Sequence, residues 1–350
     1  MRRSYRAEDV TILLKDITGL VEPQPAEQRE KNIQAGVHYC EMLPLEYSPS
    51  APYMQAYQAA LAEYARPTAE AIALLAEQIL QEKGPDVVLV SLARAGIPAG
   101  ILVKRYLQRR YGLSVDHYAI SIIRGRGIDK NAMNYLLQQY GPEQLQFIDG
   151  WTGKGAILRE LKQDLQAFPG VSDRLAVIAD PAAITDLCGT YSDLLIPNSC
   201  LNSTVSGLIS RTFLREDMIG PQDFHGAVYY KELEQEDVSY AFIEAIESCF
   251  PAQVTVQKPE KPAQTGFSQV QEIAAAYGIS DMNLIKPGIG ETTRVLLRRV
   301  PWKVLIRKDA QQSAMIQHIL RLAEEKHVPV EYYPLRNYKT CGLIRSCSDV

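Results

Sequence analysis

Three turns that follow predicted β-strands carry the residue types that bind anions. The clearest is Asp149–Ala156, where an acid ends a strand and three glycines precede the next helix, namely Gly150, Gly153 and Gly155. Glycine permits positive φ and close backbone approach, so successive N–H groups can converge on one anion. The helix N-terminus adds partial positive charge, while Thr152 adds a hydroxyl and Lys154 a cation. This segment predicts a phosphate-binding loop; the alternative is a glycine-rich connection without a ligand.

The other two turns add arginine. Within Ser91–Gly100 an arginine stands beside a tight glycine turn, in the run Arg94, Ala95 and Gly96. Arginine can hold a phosphate through two parallel hydrogen bonds. Arg124 and Arg126 flank a glycine after another strand, which predicts a mobile basic lid over an anionic substrate. The alternatives are an arginine on a solvated helix start and an exposed basic turn.

Thiol chemistry is a separate possibility. The chain has six cysteines without a C-x-x-C pair, Cys40, Cys188, Cys200, Cys249, Cys341 and Cys347. Reduced thiols are therefore expected, and no metal-ligand cluster of Cys and His stands out. Cys200 or Cys188 would be the nucleophile of a cysteine hydrolase, with His225, His38 or His117 as a nearby base. The alternative for both cysteines is a buried, inert side chain.

A glycine turn near the C-terminus suggests a second anion site. Gly288 and Gly290 precede a predicted helix that carries polar and basic side chains, Glu291, Thr292, Arg294 and Arg298. Residues 267–350 hold 12 basic and 8 acidic residues, whereas the rest of the chain holds 25 and 33. A basic unit on an acidic body favours different partners for the two parts. The turn predicts contact with RNA phosphates; the alternative is a protein-interaction module.

Short apolar strands and helices alternate around these turns, which predicts a parallel sheet with crossover helices. The predicted strands are Val10–Leu14, Val87–Ser91, His117–Ile123, Leu145–Asp149 and Leu175–Ala179. Pro67 is expected to split a helical stretch at about 54–82. Ligands of such sheets lie at the carboxyl ends of the strands, where the three turns are. A proline-rich linker at 256–267 separates a predicted domain at 1–255 from a smaller α/β domain at 268–350.

The composition is that of a globular protein. Apolar residues make up 46% and charged residues 22% of the chain, which excludes the disordered class. No run of 18 apolar residues occurs, so no membrane span is expected. The basic start Met1–Arg6 leads into Glu8 and Asp9 rather than an apolar stretch. A signal peptide is therefore not expected, and a cytoplasmic location is predicted.

The three turns together resemble those of type I phosphoribosyltransferases over about residues 85–180. In this resemblance Asp149 matches an acid that contacts ribose, and residues 124–130 match a flexible loop. The 5-phosphate cradle is matched by Thr152, Gly153, Lys154 and Gly155, and the pyrophosphate loop by Arg94, Ala95 and Gly96. The resemblance implies phosphoribosyl pyrophosphate or a nucleotide-like ligand, together with Mg²⁺. Gly150 departs from the family pattern, because a second acid usually stands there.

The C-terminal turn resembles the Pelota and L7Ae/L30e fold. Gly288, Glu291 and Arg294 match the motif Gly-x-Asn-Glu-x-x-Lys, whereas Gly290 replaces its asparagine. The whole chain resembles bacterial phosphoribosyltransferase-like proteins fused to a Pelota-type RNA-binding domain. These proteins are associated with tellurium-resistance-type stress operons. Some of them are labelled StiP and are described as cysteine proteases.

The expected fold is a type I phosphoribosyltransferase-like parallel sheet followed by a small L7Ae/Pelota-like α/β sandwich. The leading functional hypothesis is phosphoribosyl transfer through Asp149 and Arg94, coupled to RNA binding. The second hypothesis is a cysteine hydrolase that uses Cys200 or Cys188. The third is a non-catalytic sensor of a phosphorylated ribose ligand and RNA.

Overall fold

A mostly parallel sheet forms the centre of the computed structural model, which describes residues 1–254 and 257–345. Its strands run in the order β1-β4-β3-β6-β7-β8, and β5 adds to β4 in the antiparallel direction. The strands of the N-terminal unit are β1 (Thr11–Ile12), β2 (Lys15–Asp16), β3 (Val88–Ala93), β4 (His117–Ile123), β5 (Gly127–Ile128), β6 (Leu145–Trp151), β7 (Ala176–Ala179), β8 (Leu187–Thr190) and β9 (Gly226–Ala227). The predicted mixed α/β architecture with a mostly parallel sheet is confirmed.

The central strands are apolar runs because helices cover both faces of the sheet. All of β4 is buried, as are the first five residues of β3. The helices of this unit are α1 (Ala26–Gln34), α2 (Ala51–Lys83), α3 (Gly96–Tyr111), α4 (Lys130–Leu137), α5 (Ala156–Asp164) and α6 (Ser239–Ser248). Parallel pairing brings the carboxyl ends of β3, β4 and β6 to one edge of the sheet. The three predicted anion-binding turns follow those ends.

The expected break at Pro67 is wrong, because α2 continues through this residue. An interior proline removes one backbone hydrogen bond and costs about 3 kcal/mol. Ala69, Ile72 and Leu75 lie just beyond it and are completely buried. Burying one large aliphatic side chain contributes about 1.5–3 kcal/mol, so packing of the helix against the sheet outweighs the missing bond.

The C-terminal unit has its own sheet, in the order β10-β13-β11-β12. Its elements are α7 (Gly266–Tyr277), β10 (Ile285–Pro287), α8 (Ile289–Arg298), β11 (Pro301–Ile306), α9 (Ala314–Glu325), β12 (Val330–Tyr332) and β13 (Thr340–Ile344). The fully buried β13 pairs antiparallel with both neighbours. The sequence did not predict β13, because its threonine, cysteine and glycine do not form a typical apolar run.

The two units contact each other directly. The buried Asp193 carboxylate accepts hydrogen bonds from the backbone N–H groups of Ile289 (2.9 Å) and Lys339 (2.8 Å). Ile196 and Cys200 of the N-terminal unit belong to the same buried apolar cluster as Leu296 of the C-terminal unit. The units therefore share hydrophobic core as well as polar contacts. No helix within 1–254 and 257–345 combines the length and apolarity that crossing a membrane requires.

Candidate functional site

The Asp149–Ala156 turn lies against the C-terminal unit. The Lys154 ammonium donates hydrogen bonds to the carbonyl oxygens of Met282 and Ile285, the second at 2.9 Å. Gly153 accepts a hydrogen bond from the Tyr338 hydroxyl at 2.7 Å. Burial lowers the pKa of Lys154 to about 8. Two of the groups predicted to hold a phosphate thus bind protein instead.

The remaining groups of this turn also have local partners. The Thr152 hydroxyl donates a hydrogen bond to the buried Asp180 carboxylate. Asp149 accepts one from the Gly150 N–H at 2.7 Å, and burial raises its pKa to about 7. Gly155 adopts φ +82° and precedes α5, which is the left-handed conformation that glycine favours. Of the three glycines only Gly155 has a positive φ, and β6 continues through Gly150 to Trp151, so the turn is shorter than predicted.

The arginine turn after β3 lies beside Asp149. A Cβ on Gly96 would collide with the Ile148 carbonyl oxygen, so glycine permits this approach of the two turns. Ala95 precedes the first residue of α3. The Arg94 guanidinium donates a hydrogen bond to the Ile209 carbonyl oxygen at 2.8 Å and lies 3.6 Å from Glu46. Arg94 therefore links the sheet edge to the segment around Glu46.

The turn predicted as a lid is tied to neighbouring elements. Arg124 donates a hydrogen bond to Asn283 of the C-terminal unit at 2.8 Å. Arg126 forms an ion pair with Glu41 at 2.7 Å. Both contacts hold the turn between the C-terminal unit and the segment that contains Glu41.

Cys188 and Cys200, the predicted nucleophiles, are both inside the protein. Cys188 lies within β8, where burial raises its pKa to about 12. Cys200 ends a 3-10 turn and packs within an apolar cluster. His225 hydrogen-bonds Ser121 at 2.8 Å, and His117 hydrogen-bonds Ser91 at 2.8 Å. These two histidines are therefore engaged with serines of the central sheet.

A thiol and an imidazole do meet at Cys40 and His38. The Cys40 Sγ lies 2.9 Å from Nδ1 of His38, within hydrogen-bond reach. The two residues flank Tyr39 at the start of a 3-10 turn, Tyr39–Glu41. The His38 side chain caps this turn by accepting a hydrogen bond from the Cys40 N–H at 3.4 Å. Their sequence separation of two residues makes this contact local.

Charged side chains of both signs lie near the Cys40–His38 pair, namely arginines and Glu41. The guanidinium groups of Arg211 and Arg124 lie 5.4 and 5.7 Å from the centre of the Tyr39 ring. Burial raises the pKa of Cys40 to about 11, and the Arg126 charge offsets part of this shift. Burial and Arg126 lower the pKa of His38. The resting pair is therefore a neutral thiol and a neutral imidazole.

The predicted RNA-binding turn faces the N-terminal unit. A Cβ on Gly288 would lie 3.2 Å from Asp193, and one on Gly290 would lie 3.0 Å from Ser199. Thr292 is completely buried and accepts a hydrogen bond from Thr340 at 3.0 Å. These residues pack at the interface between the units.

The charged residues of that motif reach the edge of the interface. Glu291 and Arg294 form an ion pair at 3.3 Å and line the space between the two units. Arg298 is the last residue of α8, and its side chain lies outside what the structure describes.

A cleft of about 630 Å³ opens where these elements meet. Its two walls come from the N-terminal unit, including residues 44–50 and 201–204, and from α8 of the C-terminal unit. Six cationic residues line it, Arg29, Arg94, Arg211, Lys286, Arg294 and Arg299. Sequence reasoning chose Arg94 and Arg294 as site residues. Lys286 and Arg299 stand beside the predicted C-terminal motif but were not chosen, and Arg29 and Arg211 were missed because they are isolated cations far apart in the chain.

Comparison with known proteins identifies the family to which this arrangement corresponds. A family model described as "Tellurite-like stress resistance cysteine protease StiP" matches residues 3–247, and a "PELOTA RNA binding domain" model matches residues 264–346. "Cysteine protease StiP" of Acinetobacter baylyi is 35% identical over 341 residues, covering 92% of this chain and 88% of the relative. These names contradict the leading hypothesis of phosphoribosyl transfer and favour the alternative of a cysteine hydrolase.

Proposed function

Since the chain belongs to the StiP family, we propose that it is a thiol-dependent hydrolase with Cys40 as nucleophile and His38 as base. The observation that carries this proposal is the 2.9 Å contact between the Cys40 Sγ and the His38 Nδ1. A nucleophilic cysteine needs a base within hydrogen-bond reach. The family name supports the reaction class, and the contact supports the choice of residues.

The chemistry begins with transfer of the Cys40 thiol proton to Nδ1 of His38. The thiolate then attacks the substrate carbonyl carbon and forms a C–S bond. As the C–N bond breaks, the imidazolium returns its proton to the leaving amine. Water, deprotonated by His38, hydrolyses the resulting thioester and regenerates the thiol. Every proton in this cycle passes through His38.

The surroundings favour Cys40 over the other two candidates. Burial raises the pKa of Cys40, but positive charge stabilises a thiolate, and the charge of Arg126 offsets part of that rise. Cys188 lies within a buried strand next to Asp180, whose charge raises its pKa. Cys200 packs among apolar side chains. A cysteine in such surroundings is expected to be inert.

The resting arrangement is closed. The Cys40 residue is 0% exposed, and its thiol also lies 3.5 Å from the Leu214 carbonyl oxygen. Substrate access therefore requires movement of the short segment His38–Glu41. The Arg126–Glu41 ion pair is partly exposed, so breaking it costs little. A latent thiol of this kind would act only after the segment opens.

Cysteine substitutions test the proposal. Cys40→Ala should reduce hydrolysis of an unfolded protein substrate such as casein by at least about 100-fold, because the nucleophile is lost. Cys249→Ala is the matched control, since Cys249 lies near the end of α6 and takes no part in the pair. Circular dichroism checks that each variant folds. Loss of activity in Cys200→Ala with full activity in Cys40→Ala would assign the nucleophile to Cys200 and overturn the proposal.

RNA binding is a second function that we propose for the C-terminal unit. The observation that favours it is the match of residues 264–346 to the Pelota RNA-binding domain, together with the basic excess of this part of the chain. Electrophoretic or fluorescence measurement of RNA binding by the full chain tests it. Complete absence of binding at low salt would refute it.

The implied Mg²⁺ does not enter this mechanism. No group of three or more His, Cys, Asp or Glu side chains is arranged to hold a metal ion in the part of the chain that the structure describes. Those residues do not fit a metal site held by the protein, and no step is routed through one. For the N-terminal sheet we propose a type I phosphoribosyltransferase-like fold, without the transferase activity.

A further inference from the structure

Among the residues that the structure describes as lining the cleft between the two units, six are cationic and two are acidic. Of the acidic residues that line it, Glu46 lies 3.6 Å from Arg94 and Glu291 lies 3.3 Å from Arg294. Lys286 and Arg299 add cations from the C-terminal wall. Like charges held together in a cleft with protein walls attract anions strongly.

Arg211 shows this excess of charge most clearly. It lines the cleft from the N-terminal side, and one face of its guanidinium lies over the Tyr39 ring at 5.4 Å. Burial and the neighbouring charges of Arg29 and Arg94 lower its pKa to about 10. An anion bound in the cleft would relieve this repulsion, so the geometry is suited to a negatively charged ligand.

The cleft also offers aromatic surface. Tyr47 is 71% exposed, and both Tyr47 and Tyr53 line the same space. Bases of a single strand stack on exposed aromatic rings, while cations follow the phosphates. A duplex hides the base faces that these rings would contact. The combination of cations on two walls with tyrosines favours a single strand over free phosphate.

We propose that this cleft binds a single RNA strand, with cations from both units sharing its phosphates. The inference rests on the proposed RNA-binding function and places the site between the units rather than on the Gly288–Gly290 turn alone. That turn faces Asp193 and Ser199 of the N-terminal unit, whereas the cleft is open. Arg94 and Arg211 of the N-terminal unit are therefore part of the RNA site.

Substitutions on opposite walls test the shared site. Arg211→Gln and Arg299→Gln each remove one cation from one wall, and each should weaken binding of a 12-nucleotide single-stranded RNA by roughly 10-fold or more. The slope of log affinity against log salt concentration should become shallower by about 0.7 for each phosphate that no longer meets a cation. Arg110→Gln and Arg321→Gln are matched controls, because they remove the same charge from the outer faces of α3 and α9. Thermal unfolding checks that all four variants fold.

The outcomes separate the two proposals. Reduced affinity for both cleft variants, with unchanged controls, supports the shared site. Binding by the wild-type chain with unchanged affinity in both cleft variants overturns the cleft while RNA binding stands. An effect from one wall only also overturns it. If wild-type protein binds no RNA, both proposals fail together. Equal competition by inorganic polyphosphate at the same phosphate concentration would identify a general polyanion site and overturn the RNA assignment.

Discussion

The turn Asp149–Ala156 contains a recognisable sequence motif for ligand binding, whereas the segment His38–Glu41 contains none. The turn has three glycines, an acid and a lysine, yet Lys154 and Gly153 bind the C-terminal unit. The segment has no glycine, yet it brings a thiol to 2.9 Å from an imidazole. A glycine motif indicates where the backbone can turn tightly or approach another segment closely. It does not report whether the groups so arranged meet a ligand or another part of the protein.

The largest expected effect is on the hydrolysis rate, which should fall when the segment His38–Glu41 is changed and not when the turn Asp149–Ala156 is changed. His38→Ala should lower the hydrolysis rate by about 10²- to 10⁴-fold, because a positioned base contributes that much. Thr152→Val removes a hydroxyl that bonds Asp180 and should leave the rate within about threefold of wild type, because it takes no part in the proposed proton transfers. Initial rates on a fluorescent casein measure both. Equal losses in the two variants would remove the distinction between the regions.

Because the turn Asp149–Ala156 contacts the C-terminal unit, removing these contacts should lower the free energy of unfolding. Lys154→Met keeps the aliphatic stem but leaves the carbonyl oxygens of Met282 and Ile285 without their donor. Loss of such bonds costs about 1–3 kcal/mol in the free energy of unfolding. Urea denaturation measures the change, with Lys162→Met on the exposed face of α5 as control. Unchanged stability in Lys154→Met would show that the turn does not hold the units together.

A pH-dependent effect is expected at Asp149. Burial raises its pKa from 3.8 to about 7 in the folded protein, so the folded state binds a proton more tightly than the unfolded state. The stabilisation from this proton is complete below about pH 4 and is lost as the pH rises through 7. Asp149→Asn should therefore show less loss of thermal stability between pH 5 and 8 than wild type. Asp173→Asn, at an exposed position, serves as control, and parallel curves for wild type and Asp149→Asn would contradict the raised pKa of Asp149.

The smallest effects should arise from charges around the thiol, and they have opposite signs. Arg126 lowers and Glu41 raises the pKa of Cys40. Arg126→Gln should slow iodoacetamide labelling of Cys40 a few-fold at pH 8, whereas Glu41→Gln should speed it a few-fold, because the thiolate reacts. Both substitutions break the same ion pair, so a shift in the same direction would mean that opening of the segment, not charge, controls labelling.

The sequence predicted the parts of the fold that follow from hydrophobic pattern. The apolar runs of β3, β4 and β6 were recognised as strands, because fully buried strands need continuous apolar residues. The bounds of β4 were correct, whereas β3 and β6 each continue two residues further than predicted, to Ala93 and Trp151. The continuity of α2 through Pro67 and the central position of β13 were not predicted. Both depend on packing partners that are distant in the chain.

The candidate site was harder to predict for the same reason. Cys40 was counted among the cysteines and His38 among the possible bases, but the two were not paired with each other. Their spacing of two residues was the available signal, and it becomes a contact because the backbone turns at Tyr39–Glu41. The cleft could not be predicted from spacing, because its cations range from Arg29 to Arg299.

Covalent trapping with a peptide-linked vinyl sulfone tests the central claim most directly. Mass spectrometry of the digested full chain identifies the modified cysteine in wild type and in His38→Ala. The proposed pair predicts one dominant adduct on Cys40, formed far more slowly when His38 is replaced. A dominant adduct on Cys200 or Cys188, or equal labelling of Cys40 in both proteins, would contradict it.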